Sequence, residues 1–244
     1  GNPLYDWQAM AAEGYAWWIA RVRRQLALAD IVRVDHFRGF VDFWEIPASS
    51  PTAIDGRWVP GPGAALFEAL EQALGSLPVI AEDLGIITAE VEALRDRFAL
   101  PGMKIVQFGF SAAAEHPFLP HNYVAKSVAY TGTHDNDTIH GWYASAPERE
   151  QAFARAYLNL GKHELRHLHW AMIRALAGSV ASMVVVPMQD VLGLDVSHRM
   201  NVPGLTECWT WRFAWPMVEA GTADMLARIG ATFGRGRFDR LGLG

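Results

Sequence analysis

The sequence is poor in cysteine. Cys208 is the single thiol among 244 residues, so no internal disulfide framework can form, and the composition suits a reducing compartment such as the cytoplasm. Positive charge is not in excess either: 21 Lys and Arg stand against 26 Asp and Glu, a formal net charge of -5. That balance argues against a nucleic-acid partner, and the basic cluster Arg21, Arg23 and Arg24 reads as the solvated face of a helix. No apolar run approaches the roughly 18 residues that a membrane-crossing helix needs, and no signal peptide is visible. A membrane partner is therefore not expected. No Gly-x-Gly-x-x-Gly follows a predicted strand and no Gly-x-x-x-x-Gly-Lys-Ser/Thr occurs, which removes the common dinucleotide and nucleotide-phosphate sites. Fixed-period repeats and low-complexity segments are missing too.

Apolar and aromatic residues are plentiful. Hydrophobic residues make up 51% of the chain, with ten Trp and twelve Phe. A core large enough for one sizeable α/β domain or two small ones can be buried. Aromatics left outside that core are available to line a groove.

Taken in order, the pattern alternates helices with strands. Gly1–Asp6 reads as loop, and Asp6 as the N-cap of a helix running to about Leu28. A strand follows over about Asp30–Asp35, then a long irregular stretch from Phe37 to Gly63 rich in Trp, Pro and Gly. The spacing predicts a helix over Ala64–Leu74 ended by Gly75, a strand over Pro78–Glu82, and a helix capped by Thr88. Further strands are predicted at Met103–Phe108, Ser127–Thr131 and Ser182–Val186. Helices are predicted at Pro147–Leu160, Glu164–Ala177 and Ala223–Ala231, a loop at Gln189–Gly204, an aromatic-rich stretch at Trp209–Trp215 and a Gly/Arg tail from Gly234. Strands that alternate with helices imply parallel pairing.

Three acids stand just past the C-terminal ends of separate predicted strands: Asp35, Glu82 and Asp135. In parallel α/β folds active sites are built on that side. Carboxylates that converge repel one another and lose hydration, so packing alone is a poor reason to gather them. Arg33 and Asp35 share a strand face, and the cation favours an ionised Asp35 able to act as a nucleophile. The plain alternative is a structural ion pair at a strand end. Two chemistries use three such acids. One is glycoside cleavage, with a nucleophile, an acid and a negative field around an oxocarbenium-like transition state. The other is an enolase-type Mg²⁺ site. Arg33 competes with a metal for the oxygens of Asp35 and so favours the first. His134 fits either a ligand or a donor to a sugar hydroxyl. The aromatic loop favours sugar, whose C–H faces pack on Trp and Tyr rings. Lys104 and Gln107 read as packing residues, and Cys208 as a small, half-buried side chain.

Arg33-Val34-Asp35-His36-Phe37, Glu82-Asp83-Leu84-Gly85 and His134-Asp135-Asn136 resemble three signature regions of the α-amylase clan. Further blocks narrow the resemblance: Gly1–Trp7, Phe37–Phe40, Pro101–Lys104, Tyr130–Thr138 and Arg199-Met200-Asn201. Together they resemble the 4-α-glucanotransferases, or amylomaltases, in order from Gly1 almost to the C-terminus. One departure is Glu207-Cys208, where the family commonly has Gly-Asn.

The resemblance implies an α/β chain that forms part of a (β/α)8 barrel. Residues 1–244 would be the C-terminal portion of a single catalytic barrel, with about five parallel strands, the fourth to the eighth, and their covering helices. The N-terminal strands would be missing, and the bare barrel edges would invite self-association. It further implies Asp35 as nucleophile, Glu82 as acid/base and Asp135 as transition-state stabiliser, with Arg33, His134 and Asn201 on the substrate. No metal and no cofactor are called for. The implied substrates are maltooligosaccharides and other α-1,4-glucans, processed with retention. A hydrolase of the same clan and a catalytically silent fragment are the competing expectations.

Overall fold

The structure, a computed structural model, describes residues 3–111 and 113–236. Gly1 and Asn2 of the opening block, and the tail from residue 237, lie outside the described residues. The chain divides into two compact units, Gly1–Met103 and Lys104–Gly244.

The first unit begins with two helices, α1 (Trp7–Ala12) and α2 (Ala16–Leu26), where the pattern predicts one. Gly14 at φ +60° and Tyr15 at φ +56° break the run, because two successive left-handed residues cannot extend a right-handed ladder. Asp6 caps α1 as expected, its carboxylate accepting from the Ala9 N–H at 3.0 Å. Strand β1 (Val32–Val34) follows. The stretch from Phe37 to Gly63 is not irregular throughout. It holds a 3-10 turn at Phe37–Phe40 and an antiparallel hairpin of β2 (Asp42–Glu45) and β3 (Arg57–Pro60). Trp44 and Trp58 stand opposite each other with ring centroids 5.4 Å apart, a cross-strand aromatic pair. Pro60 is tolerated because it ends its strand.

Helix α3 (Ala64–Leu74) matches its predicted bounds, and Gly75 leaves it at φ +80°. Its inner face buries Leu66, Phe67 and Leu70 in one cluster with Val22, Phe37 and Phe40, each side chain contributing roughly 1.5–3 kcal/mol. Strand β4 (Val79–Ala81) pairs parallel with β1 in the register Val32↔Val79, Arg33↔Ile80 and Val34↔Ala81. Thr88 stands at the N-cap of α4 (Ala89–Arg97), but its side chain makes no cap bond. Glu90 and Glu92 in the first turn still suit the positive end of the helix.

Strand β5 (Gly102–Ile105) spans the division between the units. The chain then winds into a 3-10 turn over Val106–Ser111, so the predicted strand is shorter than its apolar pattern. β5, β6 (Ser127–Tyr130) and β7 (Met183–Val185) form a three-stranded sheet in that order. β6 and β7 run parallel, with Val128 on Met183 and Tyr130 on Val185. Three helices connect them: α5 (Ile139–Ser145), which the sequence pattern does not single out, α6 (Glu148–Tyr157) and α7 (Leu168–Ala177). The predicted helix from Glu164 starts as a 3-10 turn, Lys162–His167. A short helix α8 (Met188–Val191) and a 3-10 turn at Val196–His198 fall inside the predicted loop. Helix α9 (Thr222–Phe233) ends the described chain. The core of this unit gathers Val106, Phe110, Leu119, Ile139, Leu168, Met172 and Leu176.

The fold is α/β. All five predicted strands are present, with the hairpin in addition. Among the described residues no helix is long and apolar enough to cross a membrane.

Candidate active site

Two groups of predicted site residues assemble, one within each unit. In the first, Arg33 lies on β1 and Asp35 just beyond it, and period two puts both on one face. Arg33 Nη2 lies 2.8 Å from Asp35 Oδ1, and the Arg33 Nε–H points to Met103 Sδ at 3.2 Å. The Asp35 side chain is 75% exposed, so solvent or a substrate can reach it. His36 sits at φ +50°, a left-handed conformation that His tolerates better than most residues. The turn aims its N–H at Glu82 Oε2, 2.8 Å away, while Leu84 N–H donates to Glu82 Oε1 at 2.9 Å. The main chain closes the same junction: Glu82 N–H donates to the Val34 carbonyl and Phe37 N–H to the Glu82 carbonyl. Both oxygens of Glu82 are thereby oriented by backbone amides, one from the loop that carries Asp35 and one from its own loop.

Asp35 also borders a cavity of about 280 Å³ walled by Tyr5, Trp7, Trp18, Arg21 and Phe40. Tyr5 Oη accepts from Arg21 Nη1 at 2.7 Å, and the Arg21 guanidinium lies over the Trp17 and Trp18 rings. Trp18 Nε1 is buried without a hydrogen-bond partner among the described residues. The aromatic wall is a suitable surface for the C–H face of a sugar ring.

In the second unit, His134 and Asp135 follow β6. His134 Nε2 lies 3.3 Å from Asp135 Oδ2. Asn201 Nδ2–H donates to Asp135 Oδ1 at 2.6 Å, so Asn201 reaches its acid from 66 residues away. The His134 ring lies 5.0 Å from that of Trp209. A cavity of about 180 Å³ opens beside them, lined by Thr133, His134, Asn136, Gln189, Asp190 and Arg199 among others.

Four residues escape the sequence reading. Asp83 reads only as a strand breaker, yet its side chain is 4% exposed. It pairs with Arg95 Nη1 at 2.6 Å and accepts from the Met103 N–H at 2.7 Å. A Cβ at Gly102 would collide with this carboxylate, which gives the Pro101-Gly102-Met103 block its glycine. The available signal is alternation: Glu82 and Asp83 are neighbours, so one must face inward when the other faces the mouth. Asp190 is 2% exposed and accepts from Thr131 Oγ1 at 2.5 Å and the Ile139 N–H at 2.8 Å. Burial pushes its carboxyl up to about 6; the two hydrogen bonds oppose that rise and the Asp137 charge adds to it. Arg199 and Trp209 lack any signal beyond their blocks. Gln107 is buried and donates to the Asp137 carbonyl at 2.9 Å, the packing role expected of it. Cys208 is half-buried and accepts from the Val202 N–H. Among the described residues no group of three or more His, Cys, Asp and Glu is placed to hold a metal ion.

Within the first unit, a strand-end acid paired with Arg and a second acid held by backbone amides are an arrangement suited to glycosidic bond chemistry. Comparison with known proteins identifies the family. The family model for 4-alpha-glucanotransferase matches residues 1–218. The chain is 52% identical to the 4-alpha-glucanotransferase of Thermus thermophilus over 218 residues, covering 87% of this chain and 44% of that one. It is 46% identical to the Synechocystis protein of the same name over 238 residues, covering 96% and 47%. Among solved structures, the amylomaltase from Streptococcus agalactiae in complex with acarbose superposes with a TM-score of 0.93 at 36% identity, over 97% of this chain and 48% of that one. The chain spans about half the length of the curated relatives it matches. The matched span and these identities establish that the chain belongs to the 4-alpha-glucanotransferase family.

Proposed function

We propose that the protein carrying this chain is a retaining 4-α-glucanotransferase, which moves a segment of an α-1,4-glucan from a donor maltodextrin to the 4-hydroxyl of an acceptor glucose or glucan. The chain is read as the C-terminal portion of a (β/α)8 catalytic barrel, strands four to eight, in a cytoplasmic enzyme without a cofactor. The bare edges of such a portion invite pairing with a second copy or with the rest of the barrel. Family membership carries the assignment. The hydrogen bond from the His36 N–H, in the Asp35 loop, to the Glu82 carboxylate supports it.

In the mechanism, Glu82 gives its proton to the leaving glycosidic oxygen as Asp35 attacks the anomeric carbon. The non-reducing part of the donor becomes an ester of Asp35. Glu82, now a carboxylate, takes the proton of the acceptor 4-hydroxyl, whose oxygen displaces Asp35 with a second inversion and hence net retention. Double displacement requires the two carboxyl groups about 5–5.5 Å apart. Arg33 pairs with Asp35 and aims it. Asp135 stabilises the positive charge that develops on the sugar, and His134 and Asn201 bind hydroxyls.

Incubation with maltotriose tests the proposal, using this chain and the same chain extended by its upstream reading frame. Longer maltodextrins with glucose are expected. A steady rise in reducing ends without chain lengthening would instead identify a hydrolase, and no turnover by the extended protein would overturn the assignment.

A further inference from the structure

We propose that Arg199 is the positioning residue for Asp135. The inference rests on the activity proposed above and goes further in assigning a role to a side chain outside the six site residues already named.

Arg199 joins two segments far apart in sequence. Its Nη2–H donates to the main-chain carbonyl of Asp135 at 2.7 Å, and its Nε–H donates to the carbonyl of Asn201 at 2.8 Å. Asn201 returns the connection through its own side chain, with Nδ2 2.6 Å from Asp135 Oδ1. The result is a closed circuit: Asp135 carbonyl, guanidinium, Asn201 carbonyl, Asn201 amide, Asp135 carboxylate. The backbone carbonyl and the carboxylate of one acid are thus both held.

Arg199 is itself well anchored. It follows the 3-10 turn Val196–His198, whose N-cap Asp195 accepts from the Ser197 N–H at 3.0 Å. Its own N–H donates to the Val196 carbonyl, and Gln189 Nε2 donates to the His198 carbonyl. A second link runs from the Trp209 N–H to the Met200 carbonyl, placing the indole beside His134. The guanidinium fork suits this role because its donors are fixed in one plane and reach two carbonyls together. A lysine ammonium gathers its three donors on one rotatable nitrogen and cannot hold two separated carbonyls at a fixed spacing. With Arg199 gone, one side-chain hydrogen bond is left between Asn201 and Asp135, and the two loops can slide relative to each other. A displacement of about 1 Å in a stabilising carboxylate costs on the order of 10²-fold in rate.

The test uses maltotriose kinetics in the full-length protein carrying this chain. R199A is expected to lose about 10²-fold in kcat with KM within about threefold, because the bonds it loses hold a group that acts in the transition state. R199K should fall between R199A and wild type. Added guanidinium ion should raise kcat of R199A about tenfold and leave D135N unchanged. The R199A/D135N double variant should be no slower than D135N alone, since Arg199 acts through Asp135. A kcat for R199A within about threefold of wild type would overturn the proposal. So would losses that multiply in the double variant, or a guanidinium response absent from R199A. If wild type itself fails to disproportionate maltotriose, the activity reading falls. The positioning role is then decided by the crystal structure of R199A: an Asn201–Asp135 bond kept at hydrogen-bond length overturns it, and a lengthened one supports it.

Discussion

Glu82 and Asp135 both stand just past a buried strand, but different kinds of group hold them. Glu82 is held by the amides of His36 and Leu84, which survive almost any change of side chain. Asp135 depends on the side chains of Asn201 and Arg199. Among the described residues each unit also carries one buried acid, and the contrast repeats. Asp83 is balanced by the Arg95 cation; Asp190 meets the neutral donors Thr131 Oγ1 and the Ile139 N–H. The first unit places its acids with main chain and a compensating charge. The second leans on side-chain donors, the Ile139 N–H excepted, and is therefore the more exposed to mutation and to pH.

The comparison presumes that the strand-end acids are chemical, and the largest expected effect tests that. Asp35→Asn should cut maltotriose turnover roughly 10⁴- to 10⁶-fold in the full-length protein. Near-normal turnover would remove Asp35 from the nucleophile role and leave the Arg33 pair as structure. The next effect separates the buried acids. Asp83→Ala leaves the largely buried Arg95 guanidinium facing the exposed Asp96 carboxylate without its buried partner and should cost about 3 kcal/mol in urea unfolding. Asp190→Ala strands two donors and no cation, and should cost about 1–3 kcal/mol. Equal losses would mean that the cation is not what distinguishes them.

The pH dependence sharpens the same point. Asp190 titrates near 6 in the folded chain against an ordinary value of 3.8. The folded state therefore binds this proton more tightly. The contribution to stability is complete below pH 3.8 and lost as pH rises through 6, on the order of 3 kcal/mol in all. His169 works in the opposite sense. Burial, then the neighbouring His140 and His167, hold it down to about 4 from 6.5, so its contribution is complete above pH 6.5 and lost as pH falls through 4. Unfolding free energies of wild type and Asp190→Asn at pH 4 and pH 7 isolate the acid: the variant should gain on wild type as pH rises. A difference that stays constant across that range would show Asp190 ionised throughout. The smallest pair of effects concerns the site itself. Asn201→Ala should cost about 10²-fold in kcat, and Leu84→Ala, which keeps its amide, less than about threefold. Comparable losses at the two positions would erase the distinction between main-chain and side-chain support.

How far the sequence discloses this molecule follows from the range of the forces involved. Helix α3 is legible to the residue because its apolar period and its terminating Gly75 are local. Short blocks point to the candidate site residues, and Asn201 and Asp135 do meet although 66 residues separate them. The hairpin was hidden because Trp44 faces Trp58 across a Pro-rich connection, and cross-strand pairing leaves little trace in four-residue strands. The break between α1 and α2 turns on Tyr15 adopting φ +56°, which its side chain gives no reason to expect. Asp83 and Asp190 look like any other acids; Thr131, which bonds Asp190, is 59 residues distant. A carboxylate becomes structural only when tertiary packing brings its donors, and no local pattern encodes that.

The left-handed turn at His36 has a consequence for what this position can accept. Its N–H reaches Glu82 because φ is positive, so the backbone angle is what the Glu82 carboxylate depends on. Glycine, asparagine and aspartate can take up that angle at little cost, whereas valine and isoleucine cannot. The imidazole is thus the more replaceable half of His36, and variation here should follow the tolerance of the peptide unit before the chemistry of the ring.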